Sequence, residues 1–281
     1  LFFLSITFLL FSCSGTGTKE RHQLRELVIV GDFDGAIDYL DSIEQYQSPR
    51  SRVLYFMERG LIEFKRSRYQ DSTFFLQKAI ELNEKLSYIS VKDALGSTLV
   101  NETKRKYKGE VFERGLLHFY KSLAYLYLSN RGEIPAREQS EFFPEREFKK
   151  LTSSEKKQYL QMARSEIVAW NSYLEKVKIK RVGKSVFKED LLQQVFGGFI
   201  HEQMNTSFDR QTALLLYKKA LDTLLKNYNG YQIYNVNYKK FIKDFKKLPR
   251  LGMAAVKKNY IVETKEARSL KDFLVFKILS L

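Results

Sequence analysis

One cysteine, four prolines, one tryptophan and three histidines in 281 residues each close off a class of explanation. Cys13 alone cannot make a disulfide within the chain or a cysteine-based zinc centre, which removes disulfide scaffolds and thiol redox pairs. So few prolines leave long elements uninterrupted. The histidines, His22, His118 and His201, lie far apart. The run His201-Glu202-Gln203-Met204-Asn205 has asparagine where the second ligand of an H-E-x-x-H zinc helix must stand. Gly15-Thr16-Gly17-Thr18-Lys19-Glu20 lacks the spacing of a phosphate loop, and neither a G-x-S-x-G elbow nor a calcium-loop aspartate pattern occurs. Glu110 and Glu113 are three apart at a helix start, where negative charge steadies the N-terminus. The expectation is a non-enzyme with no cofactor and no bound metal.

Acidic residues are also short. The 33 Asp and Glu against 48 Lys and Arg leave a net charge of +15, which favours anionic neighbours such as lipid headgroups, wall polymers, nucleic acid or acidic proteins. The bases cluster: Lys176, Lys178, Lys180, Arg181, Lys184 and Lys188 have no acid among them, and Lys239 to Lys258 holds Asp244 alone. Aromatics from Tyr228 to Phe241 would suit base stacking, but an export signal directs the chain away from nucleic acid.

That signal is read at residues 1–13. Leu1 to Phe11 is apolar except for Ser5 and Thr7, too short for the roughly 20 residues of a membrane span and the right length for the h-region of a leader. No basic n-region precedes it, so the leader is expected to begin upstream of Leu1. Leu10-Phe11-Ser12-Cys13 resembles a bacterial lipobox, with Phe11 bulkier than the residue usual there. The resemblance implies acylation of Cys13, and two or three acyl chains would hold the protein firmly on a membrane. Residues 14–19 read as a tether. Ser14, rather than aspartate, after the cysteine points to the outer membrane, facing the periplasm.

From Lys19 onward apolar residues recur at three and four, the spacing of amphipathic helices. The spacing predicts helices over Arg52 to Lys65, Tyr69 to Leu86, Val111 to Ser129, Ser154 to Val177, Val186 to Met204, Thr206 to Tyr228 and Ala267 to Leu281. Gly60, Tyr69, Ser72 and Ala79 occupy the glycine, turn-aromatic, small and late-alanine places of a tetratricopeptide repeat (TPR). Phe33, Ala36 and Leu40 repeat Tyr69, Ser72 and Leu76 one unit earlier, and Ala213, Tyr217 and Ala220 repeat Ser72, Leu76 and Ala79 later. Repeats are therefore expected near 17–48, 53–86, 118–147 and 194–228. The third would start at His118 to Ser129 and return through Ala136.

A longer block carries a second resemblance. Asn101-Glu102-Thr103, Tyr107-Lys108-Gly109-Glu110, Phe112-Glu113-Arg114 and Leu117-His118-Phe119-Tyr120 resemble a family of uncharacterised bacterial TPR lipoproteins. The resemblance covers about thirty residues and implies an exported, membrane-anchored helical repeat protein. It brings no catalytic residues.

The expected fold is all-α, an irregular TPR-like superhelix over 20–281 closed by a C-terminal helical cap. The expected role is that of a lipid-anchored envelope scaffold holding a protein partner. In a TPR the first helix of each pair lines the groove, which nominates Met57, Leu61, Phe64 and Lys65. Asn101, Glu102, Tyr107, Lys108 and Glu110 join them as a charged, aromatic connection. The alternative is a structural protein whose basic surface binds anionic wall polymer, lipopolysaccharide or lipid.

Overall fold

The computed structural model describes residues 18–49, 51–94, 107, 109–180 and 190–227. Nine helices occur among them, with one pair of two-residue strands, so the described chain is all-α in class. It divides into two compact units, Leu1–Tyr159 and Leu160–Leu281. The expected leader, Cys13 and the helix expected at Ala267 to Leu281 lie outside the described residues. None of the described helices is long and apolar enough to cross a membrane.

In the first unit α1 (Thr18–Val30) turns into α2 (Phe33–Ser42) through Gly31, whose φ of +83° suits a residue without a Cβ. Two residues assigned to the tether, Thr18 and Lys19, already belong to α1. Asp32 caps α2 by accepting a 2.9 Å hydrogen bond from the Gly35 amide. After the single turn α3 (Glu44–Gln47), α4 (Arg52–Lys65) and α5 (Tyr69–Ala94) pack extensively against each other. Gly60 is what permits that approach: a Cβ there would fall 2.8 Å from the Leu76 side chain, and the Ser72 hydroxyl donates to the Gly60 carbonyl at 2.7 Å. Ala36, Leu40, Ser72, Leu76 and Ala79, the repeated positions of the sequence, have no exposed surface.

Helix α6 (Val111–Arg131) packs against α5 and ends at Gly132, whose φ is +69° and whose amide closes the last turn onto the Leu128 carbonyl. Here the chain departs from the expected third repeat. Instead of a returning helix through Ala136, residues 133–150 form an extended hairpin, with β1 (Glu133–Ile134) antiparallel to β2 (Lys149–Lys150) and a further bridge between Arg137 and Arg146. Pro135 cannot donate a helical hydrogen bond, and Pro144 cannot either. The hairpin is drawn onto α5 by the buried Asp71, which pairs with both Arg137 and Arg146. Its tip inserts Phe142 among Tyr55, Phe56 and Phe75, and Phe143 against Phe74 and Phe75. Such ring pairs favour the edge-on and offset geometries seen here.

The core of this unit falls into three contiguous groups. One joins α1 to α4 around Leu24, Leu40, Tyr46 and Tyr55; the next joins α4, α5 and α6 around Met57, Leu76, Leu117 and Tyr120. A third seats Ile134 and Leu151 against Tyr69, Ala124 and Leu128.

Helix α7 (Ser153–Lys180) begins in the first unit and runs into the second, where it buries Ala163, Ile167 and Trp170. Helices α8 (Leu191–Met204) and α9 (Ser207–Asn227) form the second close pair. Gly198 is its contact, since a Cβ there would lie 2.5 Å from the Tyr217 ring, while one on Gly197 would lie 2.9 Å from Ile167 of α7. Ala213, Tyr217 and Ala220 are fully buried.

Candidate functional site

The described end of the family-like block meets three helices at one junction. Gly109, at φ +73°, bends the chain so that Tyr107 and Glu110 both reach Glu113 in the first turn of α6. The Tyr107 hydroxyl donates to Glu113 Oε2 at 2.5 Å, and the Glu110 amide donates to the same oxygen at 2.6 Å, the returning half of a capping box. The Tyr107 ring is half-buried against both the α1–α4 and the α4–α6 core groups, so it stitches one to the other. Arg114 reaches across to Asn83 of α5 at 3.4 Å.

Glu58 of α4 is the unusual member. Its carboxyl makes no hydrogen bond among the described residues. Burial, and then the negative charge of Glu113, push its pKa up to about 7, with Arg21 of α1 pulling the other way. The junction thus combines a hydrogen-bonded carboxylate, a carboxyl that changes charge near neutrality, and an aromatic hydroxyl. Phe112, 43% exposed, stands on the adjacent position of α6. A carboxyl poised this way is a mark of functional positions.

Of the residues nominated from sequence, Tyr107 and Glu110 meet here. Met57 does not offer itself to a partner: at 8% exposure it is enclosed between α4, α5 and α6. Phe64 packs edge-on against Tyr69, Tyr120 and Tyr127, holding three helices together. Leu61 and Lys65 are half-buried, with Leu61 leaning on the α4–α6 core group. Asn101, Glu102 and Lys108 lie outside the described residues, as does Cys13.

Sequence reasoning did not find Glu58 or Arg21. The only signal was a charge flanking the apolar stripe of α4, directly after Met57.

Two other ionic clusters serve the architecture. Asp71 is 2% exposed and ties the 133–150 hairpin to α5, while Arg146 also donates to the Pro135 carbonyl at 3.0 Å. In the second unit Asp209 accepts hydrogen bonds from Thr206 at 2.6 Å and Arg164 at 3.2 Å and sits 2.7 Å from His201 Nδ1. Burial alone would raise the pKa of Asp209, but the bonds from Thr206, His201 and Arg164 outweigh it and hold the carboxyl below its usual value. The histidine of the failed zinc motif is therefore a turn-locking residue. Among the described residues no group of three or more His, Cys, Asp or Glu is placed to hold a metal ion.

No family model, curated protein or solved structure matches the chain.

Proposed function

We propose that this protein is a binding module, a lipid-anchored envelope scaffold whose TPR-like helix pairs hold a protein partner. The observation that carries the reading is the succession of helices in the first unit. Helix α2 packs on α4, α4 on α5 and α5 on α6, with Gly60 and Ser72 at the tightest contact, as in an antiparallel solenoid. In a solenoid of that kind the first helices of successive pairs, here α1, α4 and α6, would share one face. The partner surface is then the half-exposed strip of Leu61 and Lys65 together with Glu58, Tyr107, Glu110 and Phe112, while Met57 and Phe64 support it from beneath. The anchor is Cys13, acylated after removal of the leader and facing the periplasm from the outer membrane, as the lipobox resemblance implies.

The test is site-specific photo-crosslinking in intact cells, with the photoreactive residue at Glu110 or Lys65 and a control at the exposed Val168 of α7. One discrete protein adduct at the first two positions, absent at the control, supports the reading. The same products at all three positions reject it. For the anchor, an alkynyl fatty acid should label the wild type and not Cys13→Ser.

The net charge of +15 favours a second reading, in which the basic surface binds anionic wall polymer, lipopolysaccharide or lipid. Salt-sensitive co-sedimentation with purified wall polymer or lipopolysaccharide, without a protein adduct, would select it.

A further inference from the structure

The hairpin of residues 133–150 is fastened unequally along its length. Its base is fixed by Ile134, buried with Tyr69, Ala124 and Leu128, and its neck by the bridge between Arg137 and Arg146, both of which pair with Asp71. Beyond the neck, residues 138–145 have a turn closed between Ser140 and Phe143, bonds from the Arg137 guanidinium to the Pro144 carbonyl at 3.2 and 3.3 Å, and the two rings of the tip. The other side chains of the tip are exposed.

Those rings fill an aromatic cradle on α4 and α5. Phe142 lies 5.1 Å from Phe75, 6.3 Å from Tyr55 and 6.5 Å from Phe56, and Phe143 lies 4.7 Å from Phe74 and 5.5 Å from Phe75. Tyr55 and Phe75 are buried beneath them, so lifting the tip without a replacement would bare a contiguous apolar patch. The rim of the cradle carries a cation that the tip leaves without a counter-charge. The Arg52 guanidinium stands over Tyr55 at 4.7 Å, Phe56 at 4.9 Å and Phe142 at 5.9 Å and donates to Gln47 Oε1, and no carboxylate pairs with it among the described residues. The neighbouring Arg59, over Phe75 at 5.3 Å, already has Asp41 and Glu63. Glu141, which precedes Phe142, is exposed and makes no ion pair among the described residues. The tip matches the cradle in its rings and not in its charge.

We propose that the cradle is a peptide-docking site which the hairpin tip occupies as an internal stand-in, and that its partner is an extended acidic segment carrying two adjacent aromatic side chains.

An exchange of rings for rings leaves little apolar surface bare, and the incoming carboxylates gain Arg52 in a chain of net charge +15. The tip has to leave only as far as its neck, because Ile134 and Asp71 hold the rest. A tip that is mostly closed lowers the partner's apparent affinity by the fraction of molecules that are open, which screens out weak ligands. Arg52, Tyr55 and Arg59 share a face of α4 that Leu61 and Lys65 do not, so this site does not rest on the partner strip proposed above. A failed crosslink at Lys65 or Glu110 leaves the cradle standing, and failure of the cradle leaves the strip standing.

The experiment is fluorescence polarisation on the full chain with the labelled hexapeptide EEFFEE, against EEAAEE and KKFFKK as controls. The double variant Phe142→Ala, Phe143→Ala vacates the cradle and should bind EEFFEE about ten-fold or more tighter than the wild type, with neither control comparable. Adding Arg52→Gln should weaken that binding about three-fold. Equal affinity of wild type and double variant would overturn the proposal, as would equal binding of EEAAEE. A wild-type dimer that disappears in the double variant on sedimentation would assign the cradle to a second copy of the chain and overturn the proposal as well. If the double variant does not fold, hydrogen exchange of the wild type decides. A millimolar excess of EEFFEE should raise exchange in residues 138–145 while α4 keeps or gains protection, and unchanged exchange there overturns the proposal.

Discussion

The two close helix pairs, α4–α5 and α8–α9, solve one problem with different chemistry. Each brings two helices together over glycine, Gly60 in one and Gly198 in the other, and each turns on a non-glycine residue of positive φ, Ser67 at 63° and Asn205 at 57°. Each buries a carboxylate near the turn, and α4–α5 buries Asp71 in the first turn of α5 as well. At the α4–α5 turn it is Glu63, 3% exposed, which meets Arg59 at 3.3 Å and Arg66 at 3.2 Å. Its pKa is nonetheless raised, because burial outweighs the two arginines. In α8–α9 it is Asp209, whose hydrogen bonds outweigh burial. The difference lies in the donors: Asp209 receives bonds of 2.6 to 3.2 Å from three side chains, whereas Glu63 receives longer ones of 3.2 to 3.4 Å from two arginines, and a buried charge is steadier the better its donors satisfy it.

The largest consequence concerns the carboxylates themselves. Asp209→Ala strips His201, Thr206 and Arg164 of a shared acceptor inside the fold and should cost about 3 to 5 kcal/mol. Glu63→Gln should cost only about 1 kcal/mol, since Arg59 and Arg66 keep Asp41 and Asp34 as partners. Denaturant unfolding of the full chain checks both. Similar losses would erase the contrast.

Next come the glycines. Gly198→Leu drives a side chain into the buried Tyr217 ring, and Gly60→Leu drives one into Leu76; each should cost about 1 to 3 kcal/mol, with the rigid ring placing Gly198→Leu at the upper end. Exchange protection resolved by helix pair should fall in α8–α9 for the first and in α4–α5 for the second. A melting temperature unchanged in either variant would show that the glycine is not a contact.

These positions were legible in the sequence because helix pairing leaves a local trace. Small residues must recur where helices touch, and Ala36, Ser72, Ala79, Ala213 and Ala220 all do so at helical spacing and are all fully buried. The hairpin of residues 133–150 left no such trace. Its anchor is Asp71, which meets Arg137 and Arg146 across 66 and 75 residues, and no local periodicity encodes a pairing of that range. In sequence, Asp71 is an acid in the first turn of α5 with nothing local to mark it as an anchor. The candidate site was half legible. A polar block rich in charge drew attention to Tyr107 and Glu110, whereas Glu58 matters through what α1 and α6 bring beside it, and this is a property of packing.

The opposite shifts of the two buried acids give a pH test. Asp209, with its folded pKa lowered, contributes stability that is fully present above the unfolded value of about 3.9 and is lost as pH falls through the folded one. Glu63, with its folded pKa raised, favours its neutral form in the fold, so its contribution declines as pH rises from about 4.3 through the folded value. Acidifying from pH 6 to pH 3 should therefore weaken protection in α8–α9 while the Glu63 contribution to α4–α5 moves the other way. Hydrogen exchange at the two pH values, corrected for intrinsic rates, reads both. Loss in α4–α5 alone would reverse the assignment.

The smallest expected effect separates the two turns. A serine or asparagine in the left-handed region carries a steric cost that glycine does not, though asparagine tolerates it better. At Ser67 the side chain has one described contact, a 3.4 Å bond from the Tyr69 hydroxyl to Ser67 Oγ, while the turn is closed through its backbone by Ser67 N to Phe64 O and Arg68 N to Glu63 O, both 3.0 Å. Ser67→Gly keeps those backbone bonds and relieves the strain, so it should stabilise α4–α5 by about 0.5 kcal/mol after the greater freedom of glycine in the unfolded chain is set against it. At Asn205 the side chain is engaged: its Oδ1 accepts from Arg210 at 3.0 Å, and its carbonyl accepts from the same guanidinium at 2.7 Å. Asn205→Gly keeps the second bond and loses the first, leaving Arg210, 6% exposed, with one fewer acceptor. The gain in backbone freedom and the lost hydrogen bond then oppose each other, and the variant should be neutral or weaker by up to about 1 kcal/mol. Opposite signs for the two substitutions in a matched denaturant titration would show that one turn is held by its backbone and the other by its side chains. A gain at Asn205 equal to that at Ser67 would mean that the Arg210 bond to Oδ1 contributes nothing.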